Sequence, residues 1–179
     1  MERIWEEKDI PRHHLPVNEI KKHGSLSAIE LGHGGMQSRN LTTGLPIIGP
    51  SNLSVLRPEI PSQSKAMDLT DIKLFRNEHK AAVKRSLKAG YDIIYVYAAH
   101  GLSILSHFLS IDTNKRFDQY GGTFENRIRL LKEILEDRQA IVYFTEDNEV
   151  AHDKKIYAKD AETCFLCSKR YFSSINGQA

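Results

Sequence analysis

The chain has 179 residues, with 25 Lys and Arg against 23 Asp and Glu, a formal net charge of +2 and 40% hydrophobic residues. A balance so near neutral steers it to neither nucleic acid nor a membrane surface, and no apolar run approaches the roughly 20 residues of a membrane helix. The start, MERIWEEKDI, is acidic without the apolar core of a signal peptide, and two cysteines at one short spacing make no disulfide framework. A cytoplasmic or organelle-matrix setting is therefore expected.

In chain order the residues alternate between helix and strand. Lys8 to His23 is helical in pattern, weakened early by Pro11 and Pro16 and stopped by Gly24. Leu26 to Leu31 (LSAIEL) suits a short parallel strand. Gly32 to Met67 reads as one long loop holding Pro46, Pro50, Pro58 and Pro61, a length that ordinary domains keep for function. Leu69 to Ala89 predicts a helix burying Ile72, Phe75, His79, Ala82, Val83 and Ser86. Asp68 or Thr70 caps its start and Gly90 ends it. A strand over 92–97, a polar loop and a helix over 124–136 follow, the last burying Phe124, Ile128, Leu131 and Leu135. Strand, long helix and strand in this order make a βαβ unit, so strands 26–31 and 92–97 are expected to be parallel neighbours in an α/β fold.

Chemistry concentrates where the second strand ends. Tyr97 and His100 leave it three residues apart, at the carboxyl end where parallel α/β folds keep their sites. A phenol beside an imidazole exchanges a proton near neutral pH. A tyrosine filling space beside a histidine bonded to a backbone carbonyl is the structural alternative. Glu30 lies inside an apolar strand, where a carboxylate is costly unless it finds donors; a turn to solvent is its bland reading. His33 precedes Gly34 and Gly35, which permit close backbone approach or simply a tight turn.

The block AAH-G…FLS…NKRFDQYGGTFENRIR (Ala98 to Arg129) resembles the fourth βα unit of the FMN-dependent old yellow enzyme superfamily. It is most similar to the branch of trimethylamine, dimethylamine and histamine dehydrogenases, which carries Tyr-x-x-His where many ene-reductases carry His-x-x-His. IKKHGSLSAIELGHGG (Ile20 to Gly35) is similar to the same branch's third strand and preceding helix, and the resemblance covers roughly Trp5 to Asp137.

The resemblance implies FMN as cofactor, with Tyr97 and His100 as catalytic residues over the flavin. Glu30 meets the edge of the flavin ring, and His33 belongs to the cofactor site. It implies a small-molecule substrate of the amine or enone class. Leu102 stands where many relatives carry a proton-donating tyrosine, which favours amine oxidation over alkene reduction. Asn114, Arg116, Asp118, Tyr120, Gly121, Gly122, Glu125, Asn126 and Arg127 are expected to be scaffold, since Asp and Arg in such loops cross-link by charge-assisted hydrogen bonds.

A (β/α)8 barrel needs about 250 residues, so the fold expected is a partial TIM barrel, roughly strands 3 to 4 with flanking helices, and the chain reads as a fragment. Residues 1–137 form the partial FMN-binding barrel and 138–179 a divergent tail. In that tail AIVYFT (Ala140 to Thr145) reads as a strand, and Cys164 and Cys167 faintly resemble an iron–sulfur segment. Ala161 replaces a third cysteine and two thiolates cannot complete a four-cysteine cluster, so no bound metal is expected. With the later phosphate-binding loops missing, FMN retention by this chain is expected to be weak. An inactive remnant without cofactor, and a small Cys-x-x-Cys metal- or partner-binding protein, are the competing readings. Exposed sheet edges predict self-association.

Overall fold

The structure is a computed structural model that describes residues 2–38, 43–54 and 63–137, together with the backbone of two short strands at 142–143 and 157–158. Cys164 and Cys167, and most of the tail, lie outside the described residues.

Helix α1 runs Ile10–Lys22 and is preceded by a 3-10 turn at Glu7–Asp9. The turn replaces the first helical residues expected from Lys8. Its centre is the Asp9 carboxylate, buried and accepting from the Trp5 and Glu6 amides at 2.9 and 3.0 Å and from Arg3 at 3.2 Å. Pro11 falls in the first turn of α1, where a missing N–H costs nothing. Gly24 ends the helix at φ +71°, a left-handed conformation that glycine adopts freely.

Strand β1 (Ala28–Leu31) and helix α2 (Leu69–Lys88) match their expected positions within two residues at each end. Asp68 and Asp71 cap α2 reciprocally, each side chain accepting from the other's backbone N–H. Every residue predicted to face the core from α2 does so, Ala82 being only half-buried. Between β1 and α2 the expected structureless loop contains two short strands, β2 (Ile48–Gly49) and β3 (Lys65–Ala66), paired in parallel. The buried Ser64 hydroxyl stitches this region by donating to Ser51 O at 2.7 Å.

Strand β4 (Ile93–Val96) pairs with β1 in parallel, Ala28 opposite Ile93 and Leu31 opposite Val96. The two expected neighbours are therefore neighbours, joined across α2. Side chains alternate across the pair. Leu31, Ile94 and Val96 are buried on the helix-covered face, whereas Ala28 and Glu30 are exposed on the other.

The polar loop expected after β4 holds a further helix, α3 (Ile104–Leu109), five of whose six residues are buried. Ser103 caps it by accepting from Ser106 N at 3.1 Å. The expected helix over 124–136 is divided into α4 (Phe124–Arg127) and α5 (Arg129–Glu136). Arg127, before the break, reaches Leu109 O at 2.8 Å, and Arg129, after it, reaches Gln119 O at 2.7 Å. Ile72 and Phe75 of α2, Val96, Ile104 and Phe108 of α3, and Leu130 and Ile134 of α5 form the main core. A smaller cluster joins Ile4, Leu31, Val83 and Ile94. Further on, β5 (Val142–Tyr143) lies beside β4 and pairs antiparallel with β6 (Tyr157–Ala158), so the expected strand in 140–145 is present over two of its residues.

The loop between α3 and α4 is tied by buried polar contacts, as a scaffold role requires. Asn114 donates to Phe108 O and Tyr120 O, each at 2.7 Å, and accepts from Arg116 N at 3.2 Å. Arg116 pairs with both Asp118 oxygens through Nε and Nη2, and its Nη1 donates to the carbonyls of Pro50 and Met67. Removing one side of such a buried set leaves carbonyls unmet. Asn114→Ala is expected to cost about 2–4 kcal/mol, read as a lower urea midpoint at unchanged slope. A cost below about 0.5 kcal/mol, the range of a neutral surface change, would show that the loop does not depend on it.

At the foot of β4, Asp92 accepts from Ser27 N, Ser27 Oγ and Lys21 Nζ, all at 2.9 Å. The Ser27 backbone N–H, with Lys21 and the Ser27 hydroxyl, pulls its pKa down to about 2. A carboxylate lowered on folding stabilises above its unfolded pKa of about 3.9 and loses that contribution as pH falls through its folded pKa. The urea midpoint of Asp92→Asn should therefore lie below wild type at neutral pH, the gap narrowing from about pH 4 to about pH 2. A gap independent of pH would contradict the charge as its cause.

Candidate active site at the end of β4

The exposed face of the β1–β4 pair carries Glu30 and Tyr95 side by side, since they are partners in register. Tyr97 continues that face one pleat further on, its N–H donating to Leu31 O at 3.1 Å. A Cβ on Gly32 would stand 3.3 Å from the Tyr97 Cβ, tighter than ordinary contact. Gly32 thus leaves the room in which the tyrosine ring sits.

The chain then turns sharply. His100 adopts φ +57° and Gly101 φ +63°, a left-handed pair that only glycine enters without penalty. This turn folds the imidazole back, placing Nδ1 2.8 Å from the Tyr97 hydroxyl with the ring planes 28° apart. The half-buried phenol and the exposed imidazole thus form one hydrogen-bonded unit. Glu30 is exposed and has no hydrogen-bond or ion-pair partner among the described residues.

His33 lies past the end of β1. Its Nδ1 accepts from Gly35 N at 3.0 Å and its ring meets Phe75 edge-on. Desolvation by the surrounding side chains, reinforced by His107, holds it below the ordinary histidine range. The residue is nonetheless exposed, which moderates that push. The structure joins Tyr97 to His100, sets Glu30 on their face, and gives neither Glu30 nor His33 a described hydrogen bond to the pair. Residue pattern alone does not single out His107, which is buried and connects the two loops. Its one signal was the Ser103-x-x-Ser106 pattern that announces a capped helix.

A family model for the NADH:flavin oxidoreductase / NADH oxidase family matches residues 1–143. The chain belongs to that family. It is 42% identical over 133 residues to an NADPH dehydrogenase of Clostridium acetobutylicum, covering 74% of this chain and 38% of that protein. A second relative, an NADH:flavin oxidoreductase of Gibberella zeae, is 32% identical over 147 residues, covering 74% and 35%. Among solved structures, histamine dehydrogenase from Rhizobium sp. 4-9 superposes with a TM-score of 0.75 at 39% identity, over 78% of this chain and 22% of that one. Morphinone reductase superposes at 0.68 and 28% identity, over 75% and 40%. The chain spans about two fifths of the length of the curated relatives it matches. The fold is accordingly an incomplete TIM barrel, and the family is one of flavin-dependent enzymes acting on small molecules.

Gly35 makes the junction between the two loops of the site. Its φ is +51°, and a Cβ there would stand 2.7 Å from His107 Nδ1 and 2.9 Å from Ile104 Cα. Backbone strain and overpacking act together, so Gly35→Ala is expected to cost about 2–4 kcal/mol. Gly24→Ala, also at positive φ but with open space around it, should cost about 1 kcal/mol from strain alone. Equal losses in thermal denaturation would show that contact with α3 contributes nothing.

Proposed function

We propose that this chain carries the proton-transfer segment of an FMN-dependent oxidoreductase of the amine-dehydrogenase kind, with Tyr97 and His100 as its catalytic residues. The 2.8 Å contact between the Tyr97 hydroxyl and His100 Nδ1, at the carboxyl end of a barrel strand, carries this reading. The exposed face suits a flavin: Glu30 is a carboxylate without a partner among the described residues, suited to ring N–H donors, and Gly32 leaves room for the Tyr97 ring beside it. Glu30 and the His33 turn would hold the ring edge, and FMN when bound supplies the two-electron acceptor. Tyr97 Oη and His100 Nδ1 stand within hydrogen-bond distance, so a proton can pass between phenol and imidazole. The pair is thus equipped to take the proton that an amine substrate releases as it is oxidised. Leu102, 43% exposed beside this turn, brings no ionisable proton to it, which favours amine oxidation over alkene reduction.

Barrel phosphate sites come from the loops after strands 7 and 8, whereas this chain carries roughly strands 3 to 4. Glu30 and His33 alone give a flavin few anchors, so the 179-residue chain should retain FMN weakly, seen as loss of flavin absorbance from the protein peak on gel filtration. The edge of β1 away from β4 has no strand partner among the described residues, and self-association is proposed through it. In a flavin-loaded barrel carrying this segment, His100→Ala should depress turnover about 10²–10⁴-fold with flavin content unchanged. Turnover within a factor of about three would remove His100 from the proton path, because no general acid or base is that dispensable.

A further inference from the structure

His107 touches both loops that build the site. It lies on α3, 2% exposed, and its two ring nitrogens face different segments. Nε2 stands 2.9 Å from Gly101 O and must donate there, because a carbonyl only accepts. Nδ1 is then the acceptor, and the Met36 N–H donates to it at 3.4 Å. Only the neutral ring with its proton on Nε2 makes both contacts. Burial, which pushes His107 below the ordinary histidine range, favours that same form. Alongside, Ile104 N donates to His33 O at 2.8 Å, so the first turn of α3 binds the exit of β1 as well.

The carbonyl that His107 holds belongs to the residue after His100. His100 and Gly101 are both left-handed, and a non-glycine residue keeps that conformation only where its surroundings impose it. Within the turn itself, Leu102 N donates to Ala99 O at a long 3.3 Å. The shorter contact, from outside the turn, is the one from His107.

We propose that His107 is a positioning residue whose Nε2–H grips the Gly101 carbonyl, keeping His100 in the left-handed turn that returns its ring to the Tyr97 hydroxyl. Because its other nitrogen holds Met36, the same ring fixes the turn after β4 relative to the turn after β1. The catalytic meaning rests on the Tyr97–His100 reading above; the geometric claim stands without it.

The test is nitrogen-15 NMR of the full 179-residue chain, uniformly labelled, comparing wild type, His107→Gln and His107→Leu, with His100→Ala to assign the His100 signals. Exposed His23 serves as the internal reference for a histidine in water. Glutamine offers a donating NH2 and an accepting oxygen, so His107→Gln should keep the His100 Nδ1 signal of the hydrogen-bonded ring. His107→Leu should lose it, moving the signal to that of His23, while the Asn114 side-chain amide stays protected from exchange and reports an intact scaffold. A wild-type His100 signal in folded His107→Leu would overturn the proposal. So would its loss in folded His107→Gln, and that variant decides alone if the leucine variant does not fold. Neither outcome depends on turnover: a His100→Ala barrel with full activity would sink the proton-transfer reading and leave the positioning role standing.

Discussion

The parallel register between β1 and β4 is the constraint on which the rest of the molecule depends. Ala28 faces Ile93 and Leu31 faces Val96, and because strand side chains alternate, one residue of slip would exchange the two faces of a strand. A slip of β4 would point Tyr97 at α2 and turn Ile94 and Val96 to the opposite face. The register is held at its foot by Asp92, which grips the Ser27 amide and hydroxyl across the sheet. It is held at its top by the Tyr97 N–H on the Leu31 carbonyl. Between them, burial of Leu31, Ile94 and Val96 under α2 and its neighbours makes every other register expensive.

The parts of the strand pair divide their work by end. Below it, the Asp9 turn, His13 and Arg85 join the N-terminal segment to α1, α2 and the start of β4. Above it, the backbone leaves regular structure and enters left-handed turns at Gly35, His100 and Gly101. Such conformations carry strain and need support from packed neighbours. That support comes from α3, whose residues are almost wholly buried, and from the Asn114–Arg116 network that holds the loop after it. A rigid floor and a propped, strained rim are the usual division in barrels, where one face keeps the fold and the other the chemistry.

What could be read from the residues follows the range of the interactions involved. Helix α2 was legible because twenty residues repeat one apolar stripe between an aspartate cap and a glycine stop. Helix α3 was not, because a six-residue helix buried on all sides shows no stripe at all. Strands β2 and β3 are two residues each and exist through pairing with one another across the loop between them, so no local pattern announces them. Tyr97 and His100 stood out by position at a strand end, and their roles came from family likeness. Their hydrogen bond required a left-handed histidine, which no residue-level preference foretells. His107 was hidden for a related reason: a lone histidine in an apolar helix looks like filler until the carbonyl it meets is known.

The single tryptophan of the chain, Trp5, sits in the Asp9 turn, half-exposed, with the Arg3 guanidinium 5.7 Å from its ring. It lies by the foot of the sheet, while Tyr97 and His100 lie past the opposite end of β4. Its emission therefore registers whether the N-terminal strap is docked and says little about the rim. A preparation could keep native-like fluorescence with a collapsed site, or lose it by fraying at the first few residues with the site intact. Tyr95 and Tyr97 are optical groups on the face of the site itself, and difference absorbance in the tyrosine band is the signal matched to it.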